Sequence, residues 1–319
     1  GFPGGGELWP ILLIALVPLL FTVSLSSVKK RFGYGLGVGV LHFLLQLYWI
    51  VFVLGRYGGL PWYFSYPATV LLALYMALYF GLFTAIAGSV RQRWGTSVFL
   101  WLTPCLWVGL DWLRGFLFTG FPWMDLGYGF WQTPYLLQAA DLLGHHFLTF
   151  LIVLVNTGVF VAIQQGRDKK VAMQLVVVAL LVITVGIYGN LRSRQLERYL
   201  AVSEIMVFGV VQGNIDQSRK WVPEEQQRTV DNYLGQTHKL LSRPNPPEVV
   251  VWPETALPFY PSRNPLFHAI PRLVNAGNIS LLTGSPWFEI EDAEKRVVNF
   301  FNAALLIPPD GEKPSLYFK

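Results

Sequence analysis

Cysteine is nearly missing from this chain: Cys105 is the single one among 319 residues. One thiol excludes an internal disulfide framework and says nothing of redox compartment. Charge is scarce as well. Asp, Glu, Lys and Arg together make up 13% of the residues, against about 25% in an ordinary soluble domain. There is no glycine-rich phosphate loop, no metal-ligand spacing and no sustained basic patch, which argues against nucleotide, metal and nucleic-acid chemistry. The chain is instead 53% hydrophobic, with 23 Phe and 12 Trp. Much of such a chain belongs in lipid.

The few charges are unevenly spread. Residues 1–190 hold 10 Lys/Arg and 5 Asp/Glu, whereas residues 191–319 hold 14 of each. The expected division is therefore a membrane domain over 1–190 and an ordinary, soluble-looking domain over 191–319. Six apolar stretches, near 8–27, 34–54, 66–90, 96–118, 136–163 and 171–190, approach the roughly 20 residues that cross a bilayer. Lys29, Lys30, Arg31, Arg91, Arg93, Arg167, Lys169 and Lys170 fall in alternate loops, and only Arg56 and Arg114 fall in the others. The positive-inside rule puts the eight in the cytoplasm. Six crossings then bring the chain out of the cytoplasm at Asn190. The opening GFPGGGELWP carries neither an initiator Met nor a signal-peptide charge cluster, so a cut or processed start is expected.

Polar residues in the apolar half have modest readings. Asp111 and Arg114 stand at helical i, i+3 spacing, and a structural ion pair fixing a helix end is the favoured expectation. Phe118–Trp123, FTGFPW, reads as a non-helical, aromatic entry to the next helix. It is either an interfacial belt or a wall for acyl chains. Cys105, inside an apolar stretch, reads as a small apolar side chain. His145 and His146 read as interfacial polar residues.

In the second half, strands alternate with helices, which points to an α/β layered domain. Strands are expected at 205–211, 249–251, 279–284, 297–307 and from Ser315, with helices at 223–241 and near 264–276. Val249, Val250 and Val251 read as a strand buried on both faces. Pro253 ends it, because proline cannot donate to a ladder. Glu254 follows directly, at a strand's carboxyl end, where α/β layers usually build their chemistry. Apolar neighbours would raise its pKa and suit it to accept a proton. A solvated loop glutamate is the plainer alternative. Lys319, on its residues alone, is a solvated terminus.

Taken in order, VQGNIDQSRKW, VVWPETALP, LLTGSPW and LYFK resemble the first half of the nitrilase-like domain of apolipoprotein N-acyltransferases, and LDWLRG and FTGFPW resemble their membrane part. The resemblance implies an α-β-β-α sandwich outside the bacterial inner membrane, on its periplasmic side, with a Glu-Lys-Cys triad. By motif the glutamate falls on Glu254, the lysine on Lys319 and an important tryptophan on Trp221. Phe121, Pro122 and Trp123 are implied as lipid-binding residues. The family's cysteine and a second glutamate lie beyond its lysine, so the expectation is a chain truncated at both ends and inactive alone. The implied reaction moves an acyl chain from a phospholipid, phosphatidylethanolamine foremost, through a cysteine thioester. Its acceptor is the N-terminal α-amine of a diacylglyceryl apolipoprotein. No cofactor or metal is implied. In this fold Lys319 meets Glu254, and an ammonium there opposes the effect of desolvation, so the sign of the glutamate's shift stays open. Two rival readings are a membrane-tethered amidase or nitrilase with a small substrate, and a non-catalytic lipid-binding scaffold.

Overall fold

The computed structural model describes residues 6–165, 168–292 and 297–319. They fall into two compact units that divide between Val202 and Ser203. The first is helical and apolar. Among the described residues three helices are long and apolar enough to cross a membrane, or four if a bent pair counts as one span. They are Trp62–Arg114, His145–Gln165 and Lys169–Leu200, with Val28–Leu47 and Trp49–Tyr57 forming the pair bent by 47°. Before them Leu8–Ser24 is a shorter apolar helix. Arg167 lies outside the described residues.

Trp62–Arg114 is not one rod. Its backbone breaks at Gly95, where φ is 79° and ψ is −179°, a region essentially closed to side chains with a Cβ. The Phe83 and Trp107 rings lie 4.7 Å apart. Along a straight helix those residues would be separated by about 36 Å. Segments 62–94 and 96–114 therefore form an antiparallel hairpin. The Val28–Leu47 helix packs closely on the first arm through a small-residue stripe. A Cβ on Gly35 would lie 2.1 Å from Thr84 Oγ1, and one on Gly39 would lie 2.9 Å from the Ala77 Cα.

The basic segments converge at one end of this unit. Arg91 Nη1 donates to Ser24 Oγ at 2.7 Å, and its Nη2 to Gln164 Oε1 at 2.6 Å. Thr96 Oγ1 donates to Gln165 Oε1 at 2.7 Å. Arg31 is fully buried nearby in sequence, its Nε donating to the Leu25 carbonyl at 2.7 Å.

The second unit is a five-stranded mixed sheet in the order β1 (Phe208–Val210), β2 (Val249–Val251), β3 (Ser280–Asp292), β4 (Val297–Ile307) and β5 (Ser315–Phe318). β1, β2 and β3 are parallel; β4 is antiparallel to both β3 and β5. Helices Gln226–Leu241 and Ala269–Gly277 supply Val230, Tyr233, Ile270 and Val274 to a core with Val250, Leu281 and Leu305. Strand alternation sends Phe208, Val210, Leu282 and Leu306 to the other face, where they are exposed. β2 is therefore not buried on both faces as its composition predicts. Val250 is buried, while Val249 and Val251 are only half-buried.

Candidate active site

β2 runs directly into Trp252, Pro253 and Glu254. Trp252 anchors the strand end: its ring stacks on Tyr233 with centroids 5.1 Å apart, and Nε1 donates to Thr237 Oγ1 at 3.0 Å. The next turn is sharp. Thr255 has φ 53°, and Ala256 N donates back to the Pro253 carbonyl at 3.1 Å. Gly284 of β3 pins this turn, since Leu257 N donates to its carbonyl at 3.2 Å. A Cβ on Gly284 would stand 2.3 Å from Thr255 N and 2.9 Å from the Glu254 Cα. Only glycine lets the turn lie that close to β3.

The turn presents Glu254 to the chain's last residue. Lys319 Nζ donates to Glu254 Oε1 at 3.1 Å, across 65 positions of sequence. β5 makes this possible. It pairs with β4 so that Ala303 faces Phe318, and Lys319 N donates to the Asn302 carbonyl at 3.0 Å. Asn302 also reaches the glutamate directly, its Nδ2 donating to Oε1 at 2.7 Å. Its Oδ1 accepts from Thr255 Oγ1 at 3.4 Å. Lys220 Nζ donates to the Glu254 carbonyl at 3.3 Å. Trp252, Glu254, Thr283, Asn302, Tyr317 and Lys319 are among the residues lining a pocket of about 270 Å³.

These contacts give the open pKa question a sign. The Lys319 hydrogen bond and charge hold the Glu254 carboxyl below its ordinary range, with Asn302 and Lys220 adding to the effect. Desolvation opposes them and loses, because the side chain is 63% exposed. The rise that apolar neighbours alone would cause is thus reversed. Burial lowers the pKa of Lys220, and Glu254 partly offsets that.

The other expected residues are placed as follows. Trp221 is 53% exposed, in the turn 217–221, one position from the lysine that touches Glu254. Phe121, Pro122 and Trp123 belong to the helical unit. Phe121 and Trp123 stack with centroids 5.9 Å apart, and Trp123 also meets Trp49 at 5.0 Å. Phe118, Thr119 and Gly120 all have positive φ. The chain is non-helical from Gly120 to Asp125. The expected Asp111–Arg114 pair is present at 3.2 Å, and Arg114 Nη2 also bonds Asp125. His145 Nε2 meets the other Asp125 oxygen at 2.9 Å. Asp125, His145 and His146 each place a ligand atom within 4.8 Å of the others, but both oxygens of Asp125 are already engaged in these bonds. Cys105 Sγ bonds the Trp101 carbonyl within its own helix turn.

Asn302 carries no motif of its own in a single sequence, and Lys220 and Gly284, inside VQGNIDQSRKW and LLTGSPW, are not singled out there. The available signal for Asn302 is a polar residue inside the apolar run VVNFFNAALLI.

Residues 2–158 match the family model described as the apolipoprotein N-acyltransferase N-terminal domain. The apolipoprotein N-acyltransferase of Geobacter metallireducens is 34% identical over 315 residues, covering 98% of this chain and 58% of that protein. That of Vibrio parahaemolyticus is 29% identical over 302 residues, covering 94% of this chain and 56% of that protein. That of Pasteurella multocida is 29% identical over 255 residues, covering 79% and 47%. The chain thus spans about half the length of the curated relatives it matches.

Proposed function

We propose that this chain, which is similar to the apolipoprotein N-acyltransferases, forms the membrane base and the first part of the catalytic layer of such an enzyme. The donor is a phospholipid, phosphatidylethanolamine foremost. The acceptor is the N-terminal α-amine of a diacylglyceryl apolipoprotein. The observation that carries the reading is the meeting of Glu254 and Lys319 at 3.1 Å. Two motifs with no local reason to meet converge on one pocket, with the carboxylate kept ionised.

In this reading Glu254 takes the proton of a cysteine thiol supplied from outside residues 1–319. The thiolate attacks the acyl ester of the phospholipid. The carbon–oxygen bond to glycerol breaks, and the leaving alkoxide takes the proton back. The thioester is then attacked by the acceptor amine, whose surplus proton passes through Glu254 to the departing thiolate. At each tetrahedral stage the Lys319 ammonium faces the developing oxyanion. Asn302 and the Gly284-pinned turn hold Glu254 in place; Trp221 is the substrate-contacting residue of the sheet unit, and Phe121, Pro122 and Trp123 are the lipid-binding residues of the helical unit.

The nitrilase-like sandwich belongs to the same proposal. The exposed apolar face of β1–β4 is the surface its remaining layers would cover. So does the location: the helical unit sits in the bacterial inner membrane with the basic end in the cytoplasm, and the sheet unit works on the periplasmic side. The test supplies the intact gene product that contains this chain with acyl-labelled phosphatidylethanolamine and a diacylglyceryl lipopeptide. Label should appear as an amide on the lipopeptide N-terminus. Hydrolysis of small amides with no acyl transfer would instead favour the amidase reading.

A further inference from the structure

A second lysine stands at the candidate site without an assigned task. Lys220 lies in the loop that follows β1, and that loop is tied down along its length. Asn232 Nδ2 donates to the Gly213 carbonyl at 2.9 Å, and a Cβ on Gly213 would meet the Tyr233 hydroxyl at 2.5 Å. Ser218 N and Oγ donate to Asp216 Oδ1 at 2.9 and 2.6 Å, and Lys220 N donates to the Asp216 carbonyl at 3.1 Å. Asn232 and Tyr233 belong to helix Gln226–Leu241, and Tyr233 stacks on Trp252. The helix that holds this loop therefore also holds the strand end that carries Glu254.

Lys220 is half-buried, and its Nζ donates to the Glu254 carbonyl at 3.3 Å. An ammonium has three N–H groups, so two remain for other acceptors. Among the described residues no carboxylate forms an ion pair with it. Glu254 and Lys319 offset each other's charge, and Arg219 faces Glu225 at 3.5 Å. Lys220 is therefore the surplus positive charge beside Glu254. Burial weakens its hold on its proton, and an anion at the spare N–H groups would restore that hold.

Place decides which anion. Lys220 is not among the residues lining the pocket of about 270 Å³ where Glu254, Asn302 and Lys319 meet. It stands beside that pocket, next in sequence to the exposed Trp221. A thiol that hands its proton to Glu254 must lie inside; Lys220 meets what stays outside. We infer that Lys220 binds the phosphodiester of the acyl donor and thereby tells donor from acceptor. The inference deepens the acyl-transfer reading above and rests on it. Both substrates of that reading carry acyl esters on a glycerol, so the ester alone does not mark which lipid is to be cleaved. On the glycerol's remaining carbon the donor has a phosphate, and the acceptor has a thioether without charge. With the ester held at Glu254 and Lys319, the phosphate stays outside the pocket, where Lys220 offers charge-assisted hydrogen bonds. A diacylglyceryl group on sulfur leaves those N–H groups unmet. The acceptor is thus spared as a source of acyl groups and reacts as an amine.

The test compares two donors in the intact gene product: phosphatidylethanolamine, and diacylglycerol with the same acyl chains. Thioester formation is followed by mass spectrometry. Lys220→Met should cut kcat/KM for phosphatidylethanolamine by about 10–100-fold, the loss typical of a hydrogen bond to a charged group. The loss should fall chiefly on KM, and it should be far smaller with diacylglycerol. Lys220→Arg should keep most of the preference. Equal losses with both donors would reduce Lys220 to a prop for Glu254 and overturn the inference, as would an unchanged preference. A second measurement needs no turnover. Short-chain phosphatidylethanolamine should protect Lys220 of the unsubstituted protein from acetic anhydride, read by peptide mass spectrometry, and the matching diacylglycerol should not. Protection by both lipids, or by neither, would overturn the phosphate site even where the thioester forms. Protection by the phospholipid without any thioester would uphold the site while the acyl-transfer reading fails.

Discussion

Gly284→Ala is a one-methyl change that acts on Glu254 without touching its side chain. The new Cβ would stand 2.3 Å from Thr255 N and 3.0 Å from the Glu254 carbonyl carbon. Both neighbours are backbone, so neither can swing aside as a flexible side chain would. Ordinary contact requires more than 3.4 Å. The turn must therefore back away from β3 by about 1 Å, and it carries the carboxylate with it. A displacement of that size at a reacting group costs about 10²-fold in rate. The two hydrogen bonds that tie the turn to Gly284, from Leu257 N and to the Pro253 carbonyl, lengthen together. Overpacking of this kind costs about 1–3 kcal/mol of stability, which leaves a folded protein. The assay is pre-steady-state formation of the acyl-thioester in the intact gene product, run beside a denaturation curve to show that the variant folds. Thioester formation within threefold of the unsubstituted protein would refute the claim that the close approach of β3 positions Glu254.

Three further outcomes follow from particular contacts. Glu254 is held charged chiefly by Lys319 and secondarily by Asn302, so an acid limb that this group imposes on thioester formation should lie below the ordinary carboxylate range. Asn302→Leu removes one bond that favours the charged form and should move that limb to higher pH; a pH–rate profile with an unmoved limb contradicts the role given to Asn302. The same sign governs stability, with the pair's contribution complete above the ordinary carboxylate value and lost as pH falls through the lowered one. Gly95→Val forces a β-branched residue into φ 79° and should destabilise the helical unit by about 1–3 kcal/mol in micelles; a neutral effect would mean that the hairpin turn is unstrained. Reporter fusions at Lys169 and Ser203 should report cytoplasm and periplasm respectively, and a cytoplasmic signal at Ser203 would reverse the proposed orientation.

Local chemistry made several elements readable before any coordinates. The run VVVWPE fixes where β2 stops, because Pro253 cannot extend the ladder, and it puts Glu254 at the strand's end. β4 occupies Val297–Ile307, the bounds that its β-branched and aromatic content predicts. What escaped reading depends on distant partners. Asn302 is an ordinary strand residue until β5 pairs alongside and Glu254 swings over it. The sign of the Glu254 shift needed Lys319 in place and the side chain's exposure known. Asp125 and His145 join Arg114 because 116–124 folds back through positive-φ residues, which no periodicity encodes. β3 continues to Asp292, past the 284 expected from composition, because its partner β4 extends the ladder through Trp287, Phe288 and Ile290.

The most direct test of the catalytic reading is Glu254→Gln in the intact gene product, which keeps the shape of the side chain and removes the base. Acyl-thioester formation from phosphatidylethanolamine, followed by mass spectrometry of the protein, should fall by about 10²–10⁴-fold while the protein still inserts and folds. A Glu254→Gln protein that forms the thioester at the unsubstituted rate would contradict the account.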